Sequence, residues 1–387
     1  MIETHKLSQY LMDRPLELKR MQDKGVKVIG HNVGDYVPTE LIYAAGAAPV
    51  CQIHGGDSDS VEAAHSVITR FICPFSRAQI GYRWLNDQAY YEMVDMLIIG
   101  VTCQQLKKVA DIWNHFTDVD IFRLGVPGEY DTDYSLAYFV DALRRMKEKL
   151  ETATGNEITD EKLKEAITIY NRLRELLKKI SVMRKSSPPP ISTLDFIKLN
   201  HASYLLDPKV MVEELESIYC KLKQQNKVSA NSKPRLLLIA PVIALGDSKI
   251  LDLVEEAGGE IVAEEVCEGV RSYWQNVEIS GGDLIEDLAV KYLRKRTPPC
   301  AFMRGSLKPR FDYAVKLAEE FKVDGIIWYQ VKMCETYDIE SFYFAQKMRE
   351  HNLPMLKLES EYDALDRGPL RTRIEAFLEI IEKRRQS

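Results

Sequence analysis

Several common nucleotide- and metal-binding motifs are missing from this sequence of 387 residues. It has no GxxxxGK[ST] loop, which argues against hydrolysis of ATP at a P-loop, and no GxGxxG fingerprint for a dinucleotide. It also has no CxxC pair, which argues against zinc ribbons, thioredoxin-like redox sites and ferredoxin-type loops. Any metal site must therefore be assembled from residues that lie far apart in the sequence.

Long apolar runs are missing as well. The amino terminus, MIETHKLSQYLMDRPLELKRMQDK, is polar and amphipathic, without the apolar core of a signal peptide or a membrane-spanning segment. The net charge of −6 gives no support for a nucleic-acid-binding surface. We therefore expect a cytoplasmic protein that interacts with neither a membrane nor nucleic acid.

Strand and helix patterns alternate in the first and last thirds of the chain. Residues 323–334 (VDGIIWYQVKMC) form an apolar run rich in β-branched and aromatic residues, and a helical pattern follows them. Residues 94–103 (VDMLIIGVTC) have the same form. This pattern predicts buried parallel strands joined by crossover helices, and ligands bind such sheets at the carboxyl edge.

The chain is predicted to have three regions. An amino-terminal α/β lobe covers residues 1–135, and a carboxyl-terminal α/β lobe covers residues 234–387. A helical connecting region, residues 136–233, lies between them and ends in a polar linker at 224–233. Within it, Asp160 is expected to be the N-cap of a long amphipathic helix. The expected fold is therefore two similar open parallel-sheet lobes, Rossmann- or flavodoxin-like, with a helical insert.

Six of the seven cysteines follow a repeated order, with Cys220 as the exception. In each lobe a strand carries the first cysteine, the second lies beside a proline, and the third ends a Val-Asp strand. These residues are Cys51, Cys73 and Cys103 in the first lobe, and Cys267, Cys300 and Cys334 in the second. Disulfides are not expected in a reducing compartment. Because thiolates are soft ligands, the pattern indicates a metal–sulfur cluster in the cleft between the lobes.

Other uses of these cysteines remain open at this point. A free cysteine is often a small buried apolar side chain, although six in matched positions favour a shared role. Six separated thiolates exceed what one tetrahedral zinc site needs. A nucleophilic cysteine would need a histidine partner, for which His54 and His65 are the candidates.

The chain also resembles a known superfamily over nearly its whole length. The segments that carry the resemblance are YVPTELIYAAGAAPV, FICPFSRAQIG, VTCQQLKKVADIW, EEVCEGVR, VDGIIWYQVKMCETYDIES and DALDRGPLRTRIEAFLE. Together they are similar to the 2-hydroxyacyl-CoA dehydratase and benzoyl-CoA reductase superfamily. Two departures are the lack of a cysteine in HNVGDYVP and of a Gly-Cys-Pro after LLLIAPVI.

The resemblance implies a set of ligands. Cys73, Cys103 and Cys334 match the three cluster cysteines of dehydratase subunits. Cys267 and Cys300 are additional, and they make the chain similar to the branch known as double-cubane cluster proteins. That branch implies a homodimer and an [8Fe-9S] double-cubane iron–sulfur cluster with six cysteine ligands. Elimination and the repeat make Cys51 the sixth.

The resemblance also implies a function. A separate ATP-hydrolysing iron–sulfur reductase would deliver electrons at low potential, and the double cubane would reduce acetylene-like small molecules. The alternative is the [4Fe-4S] subunit of a 2-hydroxyacyl-CoA dehydratase. A third hypothesis is a cluster-bearing electron carrier without catalytic activity.

Overall fold

The chain folds around two sheets, each of four parallel strands, in this computed structural model, which describes residues 5–34, 36–224, 233–296 and 298–386. The first sheet has the order β2-β1-β3-β4 and the second the order β6-β5-β7-β8. The strands are β1 Val28–Asn32, β2 Ala48–Gln52, β3 Met96–Val101, β4 Asp120–Gly125, β5 Arg235–Ile239, β6 Glu260–Glu265, β7 Gly325–Val331 and β8 Met355–Ser360. The two orders are the same once renumbered, which confirms the predicted pair of similar α/β lobes.

Helices connect the strands, as parallel pairing requires. In the first lobe they are α1 His5–Asp23, α2 Thr39–Ala44, α3 Ser58–Ala63, α4 Pro74–Leu85, α5 Ala89–Glu92 and α6 Gln104–Phe116. The central helices are α7 Asp133–Thr154, α8 Asp160–Met183, α9 Thr193–Ser203 and α10 Pro208–Lys223. The last are α11 Lys249–Glu256, α12 Val270–Tyr273, α13 Leu284–Ala289, α14 Leu307–Glu320, α15 Glu335–Glu350 and α16 Arg367–Gln386. None of these helices combines the length and the apolar character needed to cross a membrane.

Both faces of the inner strands of each sheet are buried. In the first sheet, Ile29 and Ile98 belong to one apolar cluster, and their neighbours Val28 and Leu97 belong to another. The second sheet has the same alternation along its strands. Successive side chains of a strand point to opposite faces, so a strand covered on both sides must be apolar at nearly every position. This explains why the sequences of the inner strands β3 and β7 are almost entirely apolar.

The central helices share the cores of both lobes. Leu163 and Ile167 of α8 pack into a core of the first lobe, whereas Leu177 and Ile180 of the same helix pack into a core of the second. The side chain of Thr159, and not the predicted Asp160, caps α8 by accepting a hydrogen bond from the backbone of Lys162. The predicted linker at 224–233 falls mostly on residues 225–232, which lie outside the described part of the chain.

The two lobes also meet where the backbone continues past β2 and β5. Leu245 donates a backbone hydrogen bond to Ile53 at 2.9 Å and accepts one from Gly55 at 3.0 Å. Gly56 (φ +91°) lies so close to Gly246 that a Cβ atom on Gly56 would be 2.4 Å from the Gly246 carbonyl carbon. Glycine is therefore required at this crossing for both its backbone conformation and its lack of a side chain.

We expect Gly56→Ala to reduce the free energy of unfolding by about 3 kcal/mol or more, because left-handed strain and a backbone clash act together. Gly25→Ala is the matched control: Gly25 has φ +87°, but no atom lies within 4 Å of the place that its methyl group would take. That control should lose only about 1 kcal/mol, the cost of the conformation alone. Denaturant unfolding of both variants measures the difference, and equal losses would contradict a close crossing.

Candidate metal centre

A cleft at the facing carboxyl edges of the two sheets brings together five of the six predicted cysteines: Cys73, Cys103, Cys267, Cys300 and Cys334. The cleft contains about 720 Å³ of space, counted to its open mouth. Its other lining residues are mostly apolar, among them Val33, Phe75, Leu106 and Val242. The structure thus gathers thiols from both lobes in one apolar space.

Three of these thiols sit at the N-caps of helices. Cys73 precedes α4, Cys103 precedes α6 and Cys334 precedes α15. The backbone N–H of Ser76 donates to the Cys73 sulfur at 3.4 Å, and that of Leu106 donates to the Cys103 sulfur at 3.4 Å. Such positions favour an anionic sulfur, because unpaired N–H groups and the helix dipole point toward it.

Cys267 and Cys300 form a second group, contributed by the second lobe alone. Cys267 lies two residues beyond the end of β6, and Cys300 follows a π-helical turn, Val290–Arg294, that extends α13. The ionisation of the two thiols is linked, and the neighbouring Cys267 thiol lowers the pKa of Cys300. Burial opposes that shift, whereas nearby arginines support it. One member of the pair is therefore readily deprotonated.

Buried arginines lie behind this second group. Arg271 Nη1 donates a hydrogen bond to the Cys267 sulfur at 3.0 Å, and its Nε donates to Glu265 at 2.6 Å. Arg271 also contacts the hydroxyl of Tyr337, which lines the cleft. Arg310 is equally buried and lies 3.1 Å from Glu340. The second thiol group thus faces fixed positive charge that has little access to water.

Sequence reasoning did not identify these arginines. The signal available for Arg271 was its spacing in EEVCEGVR, four residues after Cys267. Cys267 lies in the turn that leads into α12, and Arg271 is the second residue of that helix, so the two side chains can approach each other. Arg310 lies on α14, ten residues after Cys300, and no short motif connects the two residues, so the sequence did not single it out.

Burial changes the ionisation of the first group. It raises the pKa of Cys73, and that of Cys103 to about 11. It also raises the pKa of Cys334, in part together with its neighbours Cys73 and Cys103. Without a cation in the cleft these three cysteines are protonated at neutral pH. Metal binding would therefore have to displace their protons.

Cys51 is the one predicted ligand that the structure does not bring to the cleft. It is the next-to-last residue of β2, fully buried, and its backbone lies beside His31 in the sheet. Cys267 lies two residues beyond β6, and the residue at the same distance beyond β2 is His54. Cys51 and Cys267 therefore do not occupy equivalent positions in the two lobes. The role of Cys51 as the sixth ligand stays a prediction. Cys220 lies exposed on α10.

The two candidate histidines occupy other surroundings. His54 is buried and stacks on Tyr90, with the ring centroids 5.4 Å apart. His65 contacts Glu62 through Nδ1 at 3.1 Å and Arg77 through Nε2 at 3.0 Å. Neither histidine is among the residues that line the cleft. Among the described residues that line the cleft, no histidine lies beside the thiols as a general base.

The five thiols line a space and do not surround a single point. Among the described residues, no three histidine, cysteine, aspartate or glutamate side chains are close enough together to hold one metal ion. No disulfide joins any of the seven cysteines, all of which fall in the described ranges. The five thiols are therefore spread along the wall of the cleft.

In metal-free protein kept without oxygen, we expect iodoacetamide to alkylate Cys220 first, because only Cys220 is exposed. Cys103 should react far more slowly at pH 8, since the thiolate is the reactive form and its pKa is about 11. Its rate should rise about tenfold per pH unit between pH 8 and 10. Peptide mass spectrometry follows each site, and Cys220→Ser identifies the fast phase. Equal rates for Cys103 and Cys220 at pH 8 would contradict the buried cleft.

Comparison with known proteins supports an assignment over almost the entire chain. Residues 35–381 match the family described as HGD-D: 2-hydroxyglutaryl-CoA dehydratase, D-component. The chain is 27% identical to YjiM of Escherichia coli (strain K12), which bears the name of a dehydratase subunit, over 95% of this chain and 94% of YjiM. It is 24% identical to the (R)-phenyllactyl-CoA dehydratase beta subunit of Clostridium sporogenes, over 94% of each chain.

Another relative is named for a reductase. The chain is 22% identical to one of the subunits of benzoyl-CoA reductase from Thauera aromatica, over 93% of this chain and 92% of that relative. The family match and these relatives agree with the resemblance that the cysteine-bearing segments carry. The chain belongs to the 2-hydroxyglutaryl-CoA dehydratase D-component family, within the 2-hydroxyacyl-CoA dehydratase and benzoyl-CoA reductase superfamily.

Proposed function

We propose that this chain is an ATP-coupled low-potential reductase that holds an [8Fe-9S] double-cubane cluster in the interlobe cleft. The observation that carries the proposal is the convergence of five thiols, from both lobes, on one apolar cleft. Electrons would come from a separate ATP-hydrolysing iron–sulfur protein, since this chain has no P-loop of its own. The proposed substrate is a small, acetylene-like molecule, and the proposed assembly is a homodimer.

The donor set fits an iron–sulfur cluster. Five cysteines and no histidine, aspartate or glutamate are among the described residues that line the cleft, and soft thiolates are the usual protein ligands of iron–sulfur clusters. In such clusters each thiolate binds its own iron, so the thiols need not meet at one point. Cys73, Cys103 and Cys334 would hold one part of the cluster, and Cys267 and Cys300 the other. Cys51 is proposed as the sixth ligand.

The protein would control the charge and hydration of the bound cluster. When bound, the cluster supplies electrons for reduction of the substrate. The helix N-termini at Cys73 and Cys103 and the guanidinium of Arg271 stabilise negative charge on sulfur. The apolar lining, which includes Phe75 and Leu106, limits access of water. Hydrogen bonds, charge and exposure are the factors through which a protein sets the potential of such a cluster.

A second candidate function is the [4Fe-4S] subunit of a 2-hydroxyacyl-CoA dehydratase. Two observations favour it. Relatives named as dehydratase beta subunits match 94% of the chain. In addition, Cys73, Cys103 and Cys334 are all N-cap residues of helices, whereas Cys267 and Cys300 are not. In this case Cys267 and Cys300 would serve a structural or electrostatic purpose. Both candidates make the chain a component of an enzyme.

The iron content of protein purified without oxygen separates the two candidates. The double cubane predicts about eight irons per chain and the single cubane about four. Cys267→Ser and Cys300→Ser should each lower the content to about half in the first case and leave it unchanged in the second. Cys220→Ser, on the surface of α10, is the matched control and should change nothing. Wild-type protein with no iron and no acid-labile sulfide would exclude both functions.

Cys51→Ser tests the sixth ligand by the same measurement. Loss of iron would show that Cys51 reaches the cluster, whereas unchanged iron would show that its burial in β2 is structural. Cys51→Ala is measured in parallel, because serine could still bind iron through its oxygen whereas alanine could not. An unchanged iron content in both variants would reduce the protein ligands to the five thiols of the cleft.

The hydrogen bond from Arg271 to Cys267 should raise the midpoint potential of the bound cluster, because it stabilises the more negative, reduced state. We expect Arg271→Met to lower the potential by on the order of 100 mV, the equivalent of one charge-assisted hydrogen bond in a one-electron couple. Arg271→Lys keeps the charge and changes the geometry, so it should lower the potential less. Redox titration monitored by EPR gives both values. A rise in potential in Arg271→Met would contradict this role.

A further inference from the structure

We propose that Gln105 is a positioning residue that ties the loops of Cys73 and Cys334 together across the cleft. The inference rests on the proposed function, because it assigns a partner to the cluster ligands. The Gln105 Oε1 atom accepts a hydrogen bond from the backbone N–H of Cys73 at 2.6 Å. Its Nε2 atom donates to the carbonyl oxygen of Met333 at 2.6 Å. We refer to these two hydrogen bonds as the Gln105 bridge.

The Gln105 bridge spans the two lobes next to the thiols. Gln105 lies in the first turn of α6, two residues after Cys103, within the first lobe. Met333 directly precedes Cys334, the N-cap of α15 in the second lobe. One side chain therefore joins the three loops that carry Cys73, Cys103 and Cys334. These are the three thiols that sit at helix N-caps.

The chemistry of the two partners requires an uncharged amide. The Cys73 N–H needs an acceptor and the Met333 carbonyl needs a donor, so the orientation of the Gln105 amide is fixed by its partners. A glutamate could accept from Cys73, but it would place a second acceptor against Met333. A leucine of similar size would make neither bond. Asparagine is one methylene shorter.

The loop at Met333 depends on outside support. Met333 has φ +61°, in the left-handed region that residues other than glycine rarely adopt. Its carbonyl is directed to Gln105, and the neighbouring Lys332 N–H is bonded to Ser360 of β8 at 2.9 Å. The Gln105 bridge thus holds a strained loop in place immediately before a proposed ligand. Small displacements of a ligating loop are enough to disturb a cofactor site.

Hydrogen–deuterium exchange on the cluster-free chain tests the bridge directly. In Gln105→Leu, the peptide that contains the Cys73 amide should exchange about tenfold faster than in wild type, because the amide has lost its acceptor. Gln105→Glu keeps the acceptor, so the same peptide should remain protected. Gln104→Leu is the matched control, because Gln104 is an exposed glutamine in the same helical turn. It should leave the exchange unchanged.

The cluster-loaded protein tests the positioning role. Gln105→Leu should lose iron to a chelator about tenfold faster than Gln104→Leu and should change the EPR signal of the reduced cluster. Gln105→Glu should also change the EPR signal, because it breaks the bond to Met333 only. If Gln105 had only a structural role in α6, its substitution would change neither the rate of iron release nor the EPR signal. The cluster-free variants should unfold at the same denaturant concentration as wild type, since the bridge is local.

Two results would overturn the inference. One is unchanged exchange of the Cys73 peptide in Gln105→Leu. The other is a loaded Gln105→Leu protein with the wild-type EPR signal and iron-release rate. If wild-type protein bound no iron, the proposed function would fail on its own, and the exchange measurement would still decide whether Gln105 joins the two loops.

Discussion

The meeting of two parallel sheets at their carboxyl edges is the constraint from which the rest of the candidate centre follows. In a parallel sheet all strands end on one side, so every strand-to-helix loop of a lobe emerges at the same edge. Here two such edges face each other, and the thiols carried by their loops point into a shared cleft. The backbone crossing at Gly56 and Gly246 lets the lobes approach closely enough for this arrangement.

Negative charge on the sulfur atoms of a bound cluster would be compensated by different means on the two sides of this cleft. On one side, helix N-termini direct backbone N–H groups at Cys73 and Cys103. On the other, Arg271 contacts Cys267 and is held in turn by Glu265. Backbone dipoles need no counter-ion, whereas a buried guanidinium needs a carboxylate partner. The second side is therefore more sensitive to substitution of single side chains.

Much of the fold and most of the site followed from the sequence, because strand patterns and loop positions are local properties. The apolar runs of β3 and β7 predicted that Cys103 and Cys334 lie just beyond strand ends, and both residues lie there and line the cleft. The position of Cys51 outside the cleft was not predicted. In sequence order Cys51 corresponds to Cys267, but Cys51 lies one residue before the end of its strand and Cys267 lies two residues beyond the end of its own, a difference of three positions. The position of Arg310 beside the cleft and the interlobe hydrogen bonds of Gln105 depend on the tertiary structure, and the periodicity of the sequence does not predict them.

The sequence also did not predict that both lobes share α8, since an apolar helix face does not specify its partner. This sharing limits how the two lobes can move relative to each other. A helix of 24 residues is about 36 Å long and stiff, and its two halves are embedded in different cores. Because it packs into both cores, α8 holds the two sheets at a fixed distance from each other. We therefore expect changes in the width of the cleft to come from the short loops that carry the cysteines and not from a hinge motion between the lobes.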